Sequence, residues 1–287
     1  MRVNFMNGSG SNAIYFTKTS VGGNHIKRGG VCQDFSASYR DEERTIVTSC
    51  DGHGGAVYIR SGRGAKFASS AAVNILRNVD HRIFFRHPRK EITEQIRLQL
   101  LCEWNAMVER DLSFRPIRKS ETRELTDDER FTLRQDPVKA YGTTLSAAML
   151  YGNKLICISI GDGGCFLLRK GQLIPVFDEP DDEQVANLTY SMCQENAGAH
   201  LNAEVFDAND YDGALLCTDG VINPYQSLEN FERSLAVPAI EKILQRKESE
   251  LCDFVTRLGA DIGLGDDVTL SVILKSNINQ RRYRTGG

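Results

Sequence analysis

Apolar runs in this chain repeatedly stop at aspartate beside glycine. "TIVTSCDGHGG" (Thr45–Gly55) is the clearest case. Its β-branched half reads as a buried strand. It then ends on Asp51, a carboxylate that is costly to bury without a partner. The pattern returns in "ISIGDGG", which places Asp162 after Ile156–Ile160, and in "ALLCTDG", which places Asp219 after Ala214–Cys217. "LGDDVTLSVIL" sets Asp266 and Asp267 before the final strand, and "VCQDFSASY" sets Asp34 at a strand start. One Asp-Gly at a strand end is an ordinary turn. Five such places exceed what turns ask for, because turns equally favour Asn, Ser and Pro. Carboxylates that converge repel one another unless a cation offsets their charge. Hard oxygen ligands select Mg²⁺ or Mn²⁺. Zinc is disfavoured, since His and Cys do not occur at ligand spacing.

The rest of the chain supplies a frame for those acids. Strand signals at Ala13–Thr19 and Thr45–Cys50 precede two helical stretches. Ala68, Ala71, Ala72, Ile75, Leu76 and Val79 repeat at helical spacing in the first, and Ile92, Ile96, Leu100, Trp104 and Met107 in the second. Strands then return in "TTLSAAMLY", "KLICISI", "CFLLRKGQLIPVF" and "GALLCTDG", with hairpin turns at "YGNK" and "RKGQ". Two more amphipathic helices follow, the last marked by Leu251, Phe254, Val255 and Leu258, and then the strand "VTLSVIL". Hairpins imply antiparallel pairing, and continuous apolar strands imply sheets covered on both faces. The expected fold is α+β: two mostly antiparallel sheets, face to face, flanked by helix pairs.

Residues 1–287 are expected to form a single domain. Within it, 113–139 is expected to be a charged surface insertion or flap. In its central stretch, "RPIRKSETRELTDDER", ten of sixteen residues are charged and no apolar period survives. A solvated surface and a functional flap both fit that composition.

Bulk composition excludes several classes. With 287 residues, 41% hydrophobic and 25% charged, the chain is of ordinary globular type. A net charge of −3 provides no basic field for nucleic acid or an anionic membrane. No apolar run is long enough to span a bilayer, and the first residues lack the apolar core of a secretory leader. Eight scattered cysteines without a Cys-x-x-Cys pair read as reduced thiols, so a cytoplasmic location is expected.

With these residues in view, the chain resembles the metal-dependent serine/threonine protein phosphatases of type 2C. "DGHGG" (Asp51–Gly55), "GTTLSAA" (Gly142–Ala148), "GDGG" (Gly161–Gly164), "CTDGV" (Cys217–Val221) and "GDDVTL" (Gly265–Leu270) are similar to successive motifs of that family, in order, from about Asn12 to Leu274. The opening "GGNHIKRGGVCQD" is similar to the amino-terminal motif of a bacterial branch. The resemblance implies a four-layer α-β-β-α sandwich.

It also implies a set of roles. Asp51 corresponds to the acid that bridges two metal ions, and Gly52 to the residue lending its carbonyl to one. Asp219 and Asp266 correspond to further carboxylate ligands. Asp34 corresponds to an acid that reaches metal directly or through water. Asp162, with Asp219, matches a third, weaker site. Asp267 stands where many relatives carry asparagine and ranks second to Asp266. Two divalent ions about 3.5–4 Å apart can clamp a phosphate and activate water for in-line attack. His53 is the candidate general acid for the leaving oxygen, a role typically worth about 10²–10⁴ in rate; a structural turn histidine is the other reading. Many relatives carry a phosphate-binding arginine where this chain has Gly29. Arg28 is the candidate substitute, with an exposed charge as its alternative.

The implied substrate is a phosphoserine or phosphothreonine protein, made by an opposing serine/threonine kinase. A pseudophosphatase that binds phosphoproteins without turnover is the alternative. A metal-dependent phosphodiesterase or nuclease is disfavoured by charge and by the lack of a basic, aromatic-rich stretch.

Overall fold

A computed structural model describes residues 13–177, 189–278 and Tyr283. The described strands are β1 (Ala13–Ser20), β2 (Ser38–Arg40), β3 (Arg44–Ser49), β4 (Leu145–Tyr151), β5 (Lys154–Ile160), β6 (Gly164–Arg169), β7 (Gln172–Pro175), β8 (Asn202–Asp207), β9 (Gly213–Cys217) and β10 (Val268–Lys275). They form two five-stranded sheets, ordered β1-β10-β9-β6-β7 and β2-β3-β4-β5-β8. Every ladder in both sheets is antiparallel.

The central strands have no solvent-exposed face, because alternate side chains are covered by helices on one side and by the opposing sheet on the other. On β3, Ile46 packs toward the helices Ser61–Arg77 and Arg89–Phe114, while its neighbour Val47 packs toward the other sheet. Ala147 and Ala148 divide the same way on β4, and Ile156 and Cys157 on β5. On the first sheet, Leu215 and Val272 meet Ile240, Ile243, Leu251 and Val255 of the helices Val237–Leu244 and Glu248–Arg257. Their neighbours Leu216 and Ile273 face the second sheet. The result is the expected order helix, sheet, sheet, helix. Trp104 is fully buried in the helix layer, and its indole N–H donates to the Gly64 carbonyl at 3.2 Å.

Both expected hairpin turns form, one with Gly152 at φ 56°, the other with Lys170 and Gly171 at φ 53° and 88°. Glycine adopts this left-handed region without a Cβ clash. Asp34 is placed differently from the sequence reading. It precedes an isolated bridge between Phe35 and Cys50 and lies four residues before β2, not at a strand start. The edge strand β8 was not expected from the sequence. Among the described residues, no helix is long and apolar enough to cross a membrane.

The charged stretch 113–139 is folded against the first helix pair. Leu125 and Leu133 are buried, and the helix Asp127–Gln135 starts with a Thr126–Glu129 capping box. The buried Arg60 anchors the stretch. Its guanidinium forks onto Glu121 at 2.8 and 3.0 Å and donates to the Arg115 and Pro116 carbonyls. It also donates to the Tyr141 hydroxyl at 2.6 Å, which in turn donates to Asp111 at 2.6 Å. Arg63 closes on Asp111 at 3.0 Å. A buried polar network of this kind is stable only while its members stay satisfied.

Tyr141→Phe removes the hydroxyl that joins Arg60 to Asp111. It should destabilise the fold by about 1–3 kcal/mol, the usual cost of leaving buried polar groups short of a partner. Urea denaturation measures this. A change below about 0.5 kcal/mol would show that the hydroxyl does not hold the network.

Candidate metal centre

Strand register gathers the aspartates. In the first sheet, Ser20 at the end of β1 pairs with Val268 at the start of β10. Cys217 at the end of β9 pairs with Leu270 and with Gly164 at the start of β6. In the second sheet, Ser49 at the end of β3 pairs with Ser146, and Leu145 pairs with Ile160 at the end of β5. The short link Gly161–Asp162–Gly163 steps from β5 in one sheet to β6 in the other, with Gly161 at φ 104°. Asp51, Asp162, Asp219 and Asp266 therefore enter or leave strands at one end of the sandwich. Asp34 joins them through hydrogen bonds to the ends of β9 and β10.

Asp34 is the most enclosed of the five. It is 5% exposed. One carboxylate oxygen, Oδ2, accepts from the hydroxyls of Thr218 at 2.8 Å and Thr269 at 2.9 Å. The Thr218 amide also donates to the Thr269 carbonyl at 3.0 Å and the Thr269 amide to the Thr218 hydroxyl at 2.9 Å, which locks β9 to β10 at this point. The other oxygen, Oδ1, is buried without a hydrogen-bond partner among the described residues. Burial pushes the Asp34 carboxyl up to about 7, opposed by the two threonine hydroxyls and reinforced by the charge of Asp267.

Asp51 is fixed through its backbone. Its carbonyl accepts from the Thr144 amide at 2.8 Å and the Thr143 hydroxyl at 2.7 Å, and its amide donates to the Thr144 hydroxyl at 3.1 Å. The side chain is left to the site. Burial raises its carboxyl well above the usual carboxylate range, and the charges of Asp34 and Asp219 raise it further. Gly52 bridges to Thr143 in a gap where a Cβ would lie 2.6 Å from the Gln33 carbonyl oxygen. Only glycine fits there.

Asp219 opens the short helix Asp219–Ile222, and Asn223 donates to it at 3.1 Å. Burial, then the charges of Asp162 and Asp266, push it up to about 6. Gly220 allows that helix to abut the Asp267 carbonyl, which a Cβ would meet at 2.1 Å. Asp162 is exposed and accepts from the Thr189 hydroxyl at 2.6 Å. Asp266 is exposed as well.

Among the described residues, no three carboxylate, imidazole or thiolate side chains stand close enough to hold one ion by themselves. The fit to a hard cation rests instead on the Asp34 Oδ1 orphan and on the acids' donor chemistry. An uncompensated buried carboxylate oxygen is costly. Mg²⁺ and Mn²⁺ take such oxygens together with carbonyls and water, and a bound cation reverses the local repulsion.

His53 is half-buried, its ring 4.9 Å from that of Tyr58. Its amide donates to the Gly142 carbonyl at 3.2 Å. Burial lowers its pKa, and the charge of Asp162 opposes that. Arg28 caps the short helix Gly23–Lys27. It is exposed and makes no side-chain hydrogen bond or ion pair among the described residues. The neighbouring Gly29 stands at φ 66° with open space around it.

Sequence reasoning missed the hydroxyl clamps Thr143, Thr144, Thr218 and Thr269. Thr218 and Thr269 lie within the acidic motifs "CTDG" and "GDDVT", whereas Thr143 and Thr144 lie in "GTTLSAA", which carries no acid and comes beside Asp51 only in the folded chain. Sequence reasoning also ranked Asp267 second, and the structure gives that residue a different place from Asp266. Asp267 is 3% exposed and accepts from the Gly22 and Gln33 amides at 2.6 Å each. The His25 imidazole nitrogen Nδ1 lies 2.9 Å from it.

A family model described as "Protein phosphatase 2C" matches residues 21–253. No curated protein sequence matches the chain significantly. Among solved structures, the chain is similar to the catalytic domain of the serine/threonine protein phosphatase PstP in complex with two manganese ions: 17% identity, TM-score 0.50, covering 91% of this chain and 97% of that one. It is also similar to the S. agalactiae serine/threonine phosphatase, at 18% identity and TM-score 0.56, over 91% and 99%. A third is PppA of Pseudomonas aeruginosa, at 19% identity and TM-score 0.53, over 93% and 99%. At these identities the structural likeness establishes the fold.

If the acids take up divalent cations, Mn²⁺ should raise the melting temperature, because a ligand that binds only the native state stabilises it. Asp51→Asn and Asp219→Asn should weaken Mn²⁺ binding in calorimetric titration and shrink that rise, with the fold retained. Equal Mn²⁺ affinity in wild type and both variants would reduce these acids to turn formers.

Proposed function

The chain belongs to the protein phosphatase 2C family, and on that premise we propose that it hydrolyses phosphoserine and phosphothreonine esters on proteins with the aid of bound Mn²⁺ or Mg²⁺. The observation that carries this reading is Asp34, whose Oδ1 is buried and, among the described residues, unpartnered, with Asp51, Asp162, Asp219 and Asp266 at the same end of the sandwich. Asp51, the Gly52 carbonyl, Asp219 and Asp266 would hold two ions, with Asp34 touching metal or its water. Asp162, with Asp219, would hold a third, weaker one. When bound, such ions offset the negative charge of the phosphate and supply an activated water for direct attack.

The chain's own residues do the remaining work. Thr143 and Thr144 hold the Asp51 backbone and leave its carboxylate out of these bonds. Thr218 and Thr269 turn one face of Asp34 inward and leave the other for the site. His53 donates a proton to the departing serine or threonine oxygen. Burial favours its neutral form in the free protein, and an arriving phosphate dianion favours the imidazolium. Arg28 is free to swing onto a phosphate oxygen. The substrate is a phosphoprotein made by a serine/threonine kinase. A cytoplasmic setting fits the eight free cysteines.

Leaving-group basicity tests the role of His53. His53→Gln should slow phosphopeptide hydrolysis by about 10²-fold or more, the range of a positioned general acid. It should slow p-nitrophenyl phosphate far less, because nitrophenolate leaves largely unaided. Equal losses on both substrates would assign His53 to loop geometry. In the wild type, chelator should abolish turnover and Mn²⁺ or Mg²⁺ should restore it. Full activity in chelator would sink the metal-dependent reading.

A further inference from the structure

Of the eight large apolar side chains that stand more than half exposed among the described residues, four flank the acid cluster. Ile26 and Val31 come shortly before Asp34, and Ile262 and Leu264 shortly before Asp266. Singly exposed apolar residues are ordinary, whereas their concentration beside a site marks contact with a partner. The other four are dispersed: Phe85, Leu98, Phe114 and Phe131 sit on three different helices.

The two flanking segments form one built surface. The Asn24 amide donates to the Gly265 carbonyl at 2.8 Å, and the Asn24 side chain to the Leu264 carbonyl at 3.3 Å. Gly23 comes so near the second segment that a Cβ would lie 2.5 Å from the Ala260 carbonyl oxygen. Asp267 ties both ends of the first segment, through the Gly22 and Gln33 amides, to the residue beside Asp266. The apolar side chains are therefore presented from a backbone that is already fixed, which lowers the ordering cost of binding.

Charge narrows the kind of partner. Between Val21 and Gln33 there is no acidic residue, while Lys27 and Arg28 are both exposed. In a chain of net charge −3, this is a locally cationic, apolar edge against an acidic cluster. An anionic group flanked by apolar side chains complements it.

We propose that Ile26, Val31, Ile262 and Leu264, with Lys27 and Arg28, dock the phosphoprotein segment around the phosphorylated residue and select apolar side chains beside it. The proposal rests on the phosphoprotein hydrolase reading above and gives that reading a substrate preference.

Fluorescence anisotropy on the full chain with Mn²⁺ tests it. The probes are two labelled peptides carrying a non-hydrolysable phosphonate analogue of phosphoserine, one flanked by leucines and one by serines. The leucine peptide should bind about tenfold more tightly, the factor expected when one or two methylene groups' worth of apolar surface is buried. The double variant Ile26→Ser/Leu264→Ser should lose that difference, and so should Val31→Ser, a milder change at a 78% exposed position. Phe131→Ser, away from the edge, should keep it. Equal binding of the two peptides to the wild type would overturn the proposal, as would an unchanged preference in both edge variants. Concentration-dependent dimerisation lost in the edge variants, without a peptide preference, would overturn it in favour of a second copy of the chain. Turnover of p-nitrophenyl phosphate by the wild type reports separately on hydrolysis. No turnover with the peptide preference intact would sink the hydrolase reading and leave the docking edge standing.

Discussion

Mutual repulsion among buried and half-buried carboxylates is the constraint around which this structure is arranged. Asp34 sits almost fully enclosed, with one oxygen satisfied by two threonine hydroxyls and the other by no hydrogen-bond donor among the described residues. Asp51 and Asp219 add like charge, and burial raises all three carboxyls above their ordinary range. A fold that placed these groups on flexible loops would relax by swinging them apart. Here the backbone prevents it. Thr143 and Thr144 hold Asp51, the Thr218–Thr269 pair holds the ends of β9 and β10, and Asp267 holds the segment leading to Asp34.

The layered sandwich is what makes that backbone stiff. Each central strand buries both faces, one toward helices and one toward the opposing sheet, so shifting its register by one residue would exchange two well-matched apolar surfaces. Register in turn fixes which residue falls at the strand end. The aspartates follow the last apolar residues because that end of the sandwich is where the core stops and water begins. Glycines beside them serve close approach: Gly52 against the Gln33 carbonyl and Gly220 against the Asp267 carbonyl leave no room for a side chain.

Around this rigid centre lie two elements of different character. The Arg60–Tyr141–Asp111 network joins the charged stretch after Phe114 to the residues just before Thr143, so the clamp on Asp51 is continuous with a buried ion-pair network. On another side, the segment from Gly22 to Gln33 is short of regular structure but pinned at both ends to Asp267. It offers apolar and cationic side chains to solvent instead of a packed face. The contrast between a buried polar anchor and an exposed apolar edge separates what holds the site from what can receive a partner.

The sequence by itself determined the layer order and the identity of the acids. Continuous apolar runs can only be strands covered on both faces, alanine and leucine at helical spacing can only be packed helix faces, and Asp-Gly at the run ends marks where each strand stops. The family resemblance added roles that spacing alone does not contain. Tertiary structure decided the rest. β8 was illegible because its six residues mix polar and apolar types and gain their place only by pairing with β5. Asp34 was read as a strand start because a single bridge at Phe35 leaves the same local pattern as a strand. The charged stretch 113–139 showed no apolar period, yet Leu125 and Leu133 pack into the helix-side core, and Arg60 ties the stretch there through Glu121. Asp266 and Asp267 are neighbours of identical chemistry; the family resemblance ranked Asp266 first, but no propensity or spacing rule separates them. The turn into β10 does so, sending one carboxylate to solvent beside the acids and the other inward to two backbone amides, because successive side chains of an extended chain point in opposite directions.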